Sequence, residues 1–158
     1  MKKVILGATG SIGSSLAKKL VDSGDQVHLV GRDEASLSEL ANELNSTFTT
    51  CDVLEENFSE KIINDLKDEQ VNGFAYCVGS IDLKPLKLTK KSDFMQSFNL
   101  NLVSAIEIIK SLADNLKANK GSIVLFSTVA VQQGFPNHAI VSSAKGAVEG
   151  LTLALAAE

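Results

Sequence analysis

The sequence predicts an α/β protein, a doubly wound parallel sheet with helices on both faces, and three observations carry that prediction. Short β-branched and apolar runs alternate with amphipathic helical stretches from the first residues onward. The strand candidates are apolar almost throughout, as strands buried on both faces are. The connections between them are long enough to hold a helix, which a parallel crossover requires.

The elements follow in order. KKVIL runs into the glycine turn GATGSIG, and IGSSLAKKLVDSG then carries Ile12, Leu16, Leu20 and Val21 at helical spacing. QVHLVGR reads as a second strand, DEASLSELANELN as a helix with acidic residues in its first turn, and STFTTCDV as a third strand. A polar helix, EENFSEKIINDLKDEQ, precedes the buried strand VNGFAYCVG. After a loop around Pro85 comes an apolar-periodic helix from about Ser92 to Ala118, then the strand GSIVLFS and a last helix from His138 to Glu158. Glycine and proline fall at element ends and no repeat or low-complexity tract intervenes, so residues 1–158 are expected to form a single domain.

With 158 residues, 44% hydrophobic and 22% charged, the chain can bury one core and is neither disordered nor fibrous. A net charge of −4 with scattered lysines and arginines argues against nucleic acid and anionic lipid as partners. MKKVILGATG holds too few apolar residues for a signal-peptide core or a membrane span, so a soluble, cytoplasmic protein is expected. Cys51 and Cys77 lack metal-type spacing and read as buried reduced thiols, so no metal site is expected.

Gly7, Gly10 and Gly13 lie three apart between a strand and a helix, which lets the backbone turn sharply, approach a pyrophosphate and pack helix on strand. This arrangement predicts a dinucleotide. At the end of the second strand, where a carboxylate would hold the ribose of NAD, Gly31 is followed by Arg32. A guanidinium pairs with a 2′-phosphate, so NADP is expected, with NAD possible. The alternatives are that Arg32 stacks on adenine or sits in solvent, with Asp33 a helix cap.

With these motifs in place the chain resembles the short-chain dehydrogenase/reductases from Met1 to Glu158. The resemblance implies a Rossmann-like sheet and a cofactor held by Gly7, Thr9, Gly10, Ser11, Ile12, Gly13 and Arg32. CDV is similar to the Asp-Val pair that the family sets against adenine, here Asp52 and Val53. YCVGS lies where the family has Asn-Asn-Ala-Gly and keeps only Gly79. FNLNLVSA resembles the stretch whose asparagine holds a proton-relay water, here Asn101. GSIVLFSTVA resembles the strand ending in the catalytic serine, here Thr128, with Ser127 its neighbour in register.

AKGAVEGLTLALAAE matches the family's segment after Tyr-x-x-x-Lys, which makes Lys145 the lysine and puts Val141 in the tyrosine's place. In the family the tyrosine carries the substrate's proton, and the lysine lowers the phenol's pKa and holds the ribose. Valine has no proton to give, and general acid catalysis is worth roughly 10²- to 10⁴-fold. His138, three residues before Val141, is a candidate substitute; the alternative is a histidine that caps or lines the helix start.

The resemblance thus implies an oxidoreductase acting on a small-molecule carbonyl or alcohol and assembled as a homodimer or homotetramer. The alternative is a cofactor-binding module without turnover, a sensor or structural subunit. Relative to the family the chain is C-terminally truncated: the final strands and the substrate-binding segment are absent, and the expectation is a longer protein or a fragment stabilised by a partner.

Overall fold

The computed structural model describes residues 1–158, which divide into two compact bodies, residues 1–78 with 107–124 and residues 79–106 with 125–158. The first is built on the predicted sheet, with strand order β3-β2-β1-β4-β5. Its strands are β1 (Lys2–Leu6), β2 (Gln26–Gly31), β3 (Thr47–Thr50), β4 (Val71–Tyr76) and β5 (Ser122–Leu125). β1 pairs in parallel with β2 (Leu6 opposite Val30) and with β4 (Leu6 opposite Tyr76). The order reverses beside β1, and such a switch point is where open α/β sheets bind ligands at the carboxyl ends of their strands.

The apolar runs form these strands because both faces are covered: Val4, Ile5, Leu6, Val27, Leu29, Val30, Val71 and Phe74 are all buried. Helices α1 (Ser11–Asp22), α2 (Glu34–Glu43) and α3 (Phe58–Leu66) cross between them. Ala17 of α1 and Leu37, Leu40 and Ala41 of α2 share one apolar cluster with Ile5, Val27 and Leu29. Burying each such leucine or isoleucine contributes roughly 1.5–3 kcal/mol. β5 is the exception, with Ile123 36% and Val124 48% exposed.

The long helix expected from Ser92 to Ala118 is three pieces: α4 (Lys91–Phe98), a π turn (Asn99–Val103) and α5 (Ser104–Ala118). The amide of Ser104 and its Oγ both donate to the carbonyl of Asn99, the hydroxyl at 2.8 Å, and this bond to the residue five back holds the wider turn. The second body contains α4, the π turn, the short α6 (Ala130–Gln133) and α7 (Ala139–Leu155). α7 buries Ile140, Val141, Ala144 and Val148 and packs on α4, the π turn and α6. It begins after its N-cap His138, and the preceding Asn137, with a φ of 67°, breaks the chain direction after Pro136. No helix is long and apolar enough to cross a membrane.

Candidate cofactor and catalytic sites

The glycine turn follows from the end of β1. The amides of Gly7 and Ala8 both donate to the carbonyl of Val30, at 2.9 and 3.0 Å, hooking the turn onto β2. Gly7 has φ 75°, and a Cβ there would lie 2.9 Å from the carbonyl of Cys77 on the neighbouring strand's exit; a Cβ on Gly13 would overlap the Gly7 carbonyl oxygen. Both positions therefore need glycine. Gly10 caps α1 without a side-chain bond, and the helix has no acidic residue in its first turn. Thr9, Gly10, Ser11 and Ile12 are exposed. The first amides of α1 have no partner within the helix, and its dipole is positive at this end. An anion such as a pyrophosphate fits this cradle.

At the exit of β2, Asp33 caps α2 by accepting the amide of Ser36 at 2.8 Å, and hydrogen bonding from the Ser36 side chain, then from its amide, holds the carboxyl below the usual range. Asp33 is thus turned onto its own helix. The Arg32 side chain is 76% exposed, its Nη1 3.5 Å from Oδ2 of Asp52, while Asp52 Oδ1 accepts the amide of Leu54 at 3.0 Å. Val53 is buried beside it. Cys51 and Cys77 are free thiols, each pushed up to about 11 by burial, and neither is a nucleophile at neutral pH.

The second body brings three predicted residues together. A Cβ on Gly79 would lie 2.8 Å from Asn101 Oδ1 and 3.5 Å from Lys145 Nζ, so glycine leaves the space between them open. Asn101, 1% exposed within the π turn, donates from Nδ2 to the carbonyl of Ser97 at 2.9 Å and to its Oγ at 3.3 Å. Those bonds aim the side chain, and its buried Oδ1 has no partner. A buried carbonyl oxygen left unpaired costs about 1–3 kcal/mol, and this one faces the space that Gly79 leaves open. Lys145 is half-buried, makes no ion pair, and burial lowers its pKa.

The remaining candidates separate. Thr128 Oγ1 accepts the amide of Ala130 at 3.3 Å, opening α6, whereas Ser127 Oγ donates to Glu149 Oε1 at 2.5 Å. Val141 is 2% exposed. His138 stands at the N-cap of α7 without a side-chain capping bond. Its Nδ1 lies 2.7 Å from the carbonyl of Pro136, and its ring is 5.4 Å from that of Phe135. A carbonyl only accepts, so Nδ1 carries the hydrogen and Nε2 is the free acceptor of the neutral ring.

Sequence reasoning missed Ser97, which aims Asn101, and Glu149, which holds Ser127. Both stand four residues from a predicted site residue, Asn101 and Lys145, a spacing that allows contact along a helical stretch without saying which side chains meet.

Residues 2–158 match the short chain dehydrogenase family. The chain is 33% identical to an L-fucose dehydrogenase of Oryctolagus cuniculus, across 97% of this chain and 55% of that protein. It is 32% identical to an L-xylulose reductase of Bos taurus, across 99% of this chain and 65% of that protein. The chain therefore spans about half to two thirds of the length of these relatives. Among solved structures it superposes with a TM-score of 0.92 and 18% identity on L-sorbose reductase from Gluconobacter frateurii, solved with NADPH and L-sorbose, covering 99% of this chain and 63% of that one. From its glycine turn to its final helix, the chain belongs to the short-chain dehydrogenase family.

Proposed function

We propose that residues 1–158 act as one NAD(P)-binding domain of an NADP-preferring oxidoreductase that interconverts a small-molecule carbonyl and alcohol. The observation that carries this reading is the cluster of Gly79, Asn101 and Lys145: an aimed, buried, unpaired oxygen beside an unpaired ammonium. Such a pair orders a water and a ribose hydroxyl, the two things a proton path next to a nicotinamide needs. NADP supplies the hydride acceptor and NADPH the donor. Gly7, Thr9, Gly10, Ser11, Ile12 and Gly13 hold the pyrophosphate, Arg32 pairs with the 2′-phosphate, Asp52 and Val53 flank adenine, and Lys145 holds the nicotinamide ribose.

Thr128 donates its hydroxyl to the substrate oxygen. Val141 moves no proton, so the proton is carried by His138 Nε2 or by the water at Asn101 Oδ1. His138 suits that work because its Nδ1–H is anchored to Pro136, which leaves Nε2 able to take a proton from an alcohol or, once protonated, to give one to a carbonyl. Copies of the chain pair as a homodimer or homotetramer, supported by the exposed Met95, Val103 and Leu153 on the helices.

The test is a fluorescence titration with NADPH and NADH, followed by a carbonyl and alcohol panel centred on sugars and polyols, the class in the relatives' names. The expected result is NADPH binding at least about tenfold tighter, in line with a charge-assisted, bidentate guanidinium–phosphate pair, and turnover on part of the panel. Equal affinity or a preference for NADH overturns the cofactor assignment. Tight NADPH binding without turnover on any member favours a second reading, a cofactor-binding module without redox turnover, to which the buried Val141 points.

A further inference from the structure

We propose that Ser127 and Glu149 are positioning residues, one of two tethers that set the spacing between Thr128 and Lys145. Thr128 follows β5 and Lys145 lies in the second turn of α7, so their separation depends on how the segment from Ser127 to Gln133 is held against that helix. Two side-chain hydrogen bonds hold it. Ser127 Oγ donates to Glu149 Oε1 at 2.5 Å, joining the residue before Thr128 to the residue one turn after Lys145. Ser142 Oγ donates to the carbonyl of Ala130 at 3.2 Å, joining the residue two after Thr128 to the residue three before Lys145. The tethers thus bracket the pair from both sides along α7.

They are unequal. The first ends on a carboxylate, and a hydroxyl–carboxylate bond of this length is about twice as strong as a neutral one. The second is neutral and longer. Between them Thr128 Oγ1 also accepts the amide of Ala130, so a shift of the segment moves the very hydroxyl assigned to the substrate. A misplacement of about 1 Å at a reacting group costs on the order of 10²-fold in rate. Supporting hydrogen bonds of this sort hold functional side chains in their productive rotamers.

This inference rests on the reading of Thr128 and Lys145 as site residues, and the experiment has two arms so that the two can fail separately. In the first arm kcat and KM are measured for the parent, Ser127→Ala, Glu149→Ala and Glu149→Gln. The expected result is a kcat lower by about 10- to 100-fold in both alanine variants with KM within about twofold, and recovery to within about threefold of the parent in Glu149→Gln, whose amide oxygen accepts the same bond. Glu149→Gln as impaired as Glu149→Ala, or Ser127→Ala matching the parent, overturns the tether.

In the second arm an amine-acylating reagent is applied across a pH series, and modification of Lys145 is quantified by peptide mass spectrometry with and without NADPH. The expected result for Ser127→Ala is a rise in the midpoint of the Lys145 profile, as the ammonium gains water, and weaker protection by NADPH. A profile and protection identical to the parent's overturn the tether even where the parent turns nothing over, the outcome that removes the hydride-transfer reading itself.

Discussion

Asn101, Gly79 and Lys145 meet at one point, so a side chain added at Gly79 presses on the other two. Gly79→Ala puts a methyl 2.8 Å from Asn101 Oδ1, and because Ser97 holds the other end of that amide, the side chain yields only by breaking its bonds to Ser97. The expected outcome is a kcat/KM lower by tenfold or more with stability lowered by about 1–3 kcal/mol, read by steady-state kinetics and a melting curve. Val141→Tyr supplies a phenol four residues before Lys145, and a rise in reductase rate of about 10²-fold is expected if the rest of the site is competent. No rise, together with loss of activity in His138→Ala, assigns the proton to the histidine. Lys145, Asn101 and Gly79 were legible because a motif fixes their register. Ser97 was not, because a serine inside a helix has a common alternative, a bond to its own backbone, and only the fold says which side chain it meets.

Among the elements, the π turn is the feature that periodicity hid. Leu102, Ile106, Ile109 and Leu112 keep a helical pattern across Asn99–Val103, so one extra residue in the turn leaves no gap in the apolar stripe while it rotates Asn101 inward. β2 and β3 carry another hidden feature. His28, buried in the sheet, has Nδ1 2.8 Å from Thr47 Oγ1 and Nε2 3.0 Å from Thr49 Oγ1, and Thr49 Oγ1 lies 2.6 Å from Asp65 Oδ2. Lys2 stands over Thr47 and pairs with Glu69 at 3.2 Å. Burial, and then the nearby Lys2, lower the imidazole from 6.5 to about 4 despite Asp65 and Glu69. Because the folded value lies below the unfolded one, the unfolded chain binds the extra proton between these pH values and stability falls as pH drops through that window. The expected loss is about 3 kcal/mol from pH 7 to pH 4, measured by urea titration, and it is reduced in His28→Gln. An equal slope in that variant would assign the acid sensitivity to other groups. In the sequence this histidine looks like any polar break in an apolar strand.

For the whole molecule, the alternation of apolar runs and helices was enough to give the parallel sheet, because burial on both faces admits few other readings. The strand order and the switch point beside β1 come from packing between distant segments, which no local pattern contains. The apolar side chains that remain exposed, Leu153 at 76% among them, are the basis of the expected self-association. Leu153→Glu is expected to lower the mass measured by light scattering to that of a single chain, while an unchanged mass places the interface elsewhere. Hydride transfer from NADPH to a carbonyl, the proposed reaction, is read with NADPH deuterated at the transferable position and mass analysis of the alcohol formed. The expected result is deuterium at the former carbonyl carbon, from one of the two prochiral labels only. Bound NADPH with no deuterium in any product would contradict it.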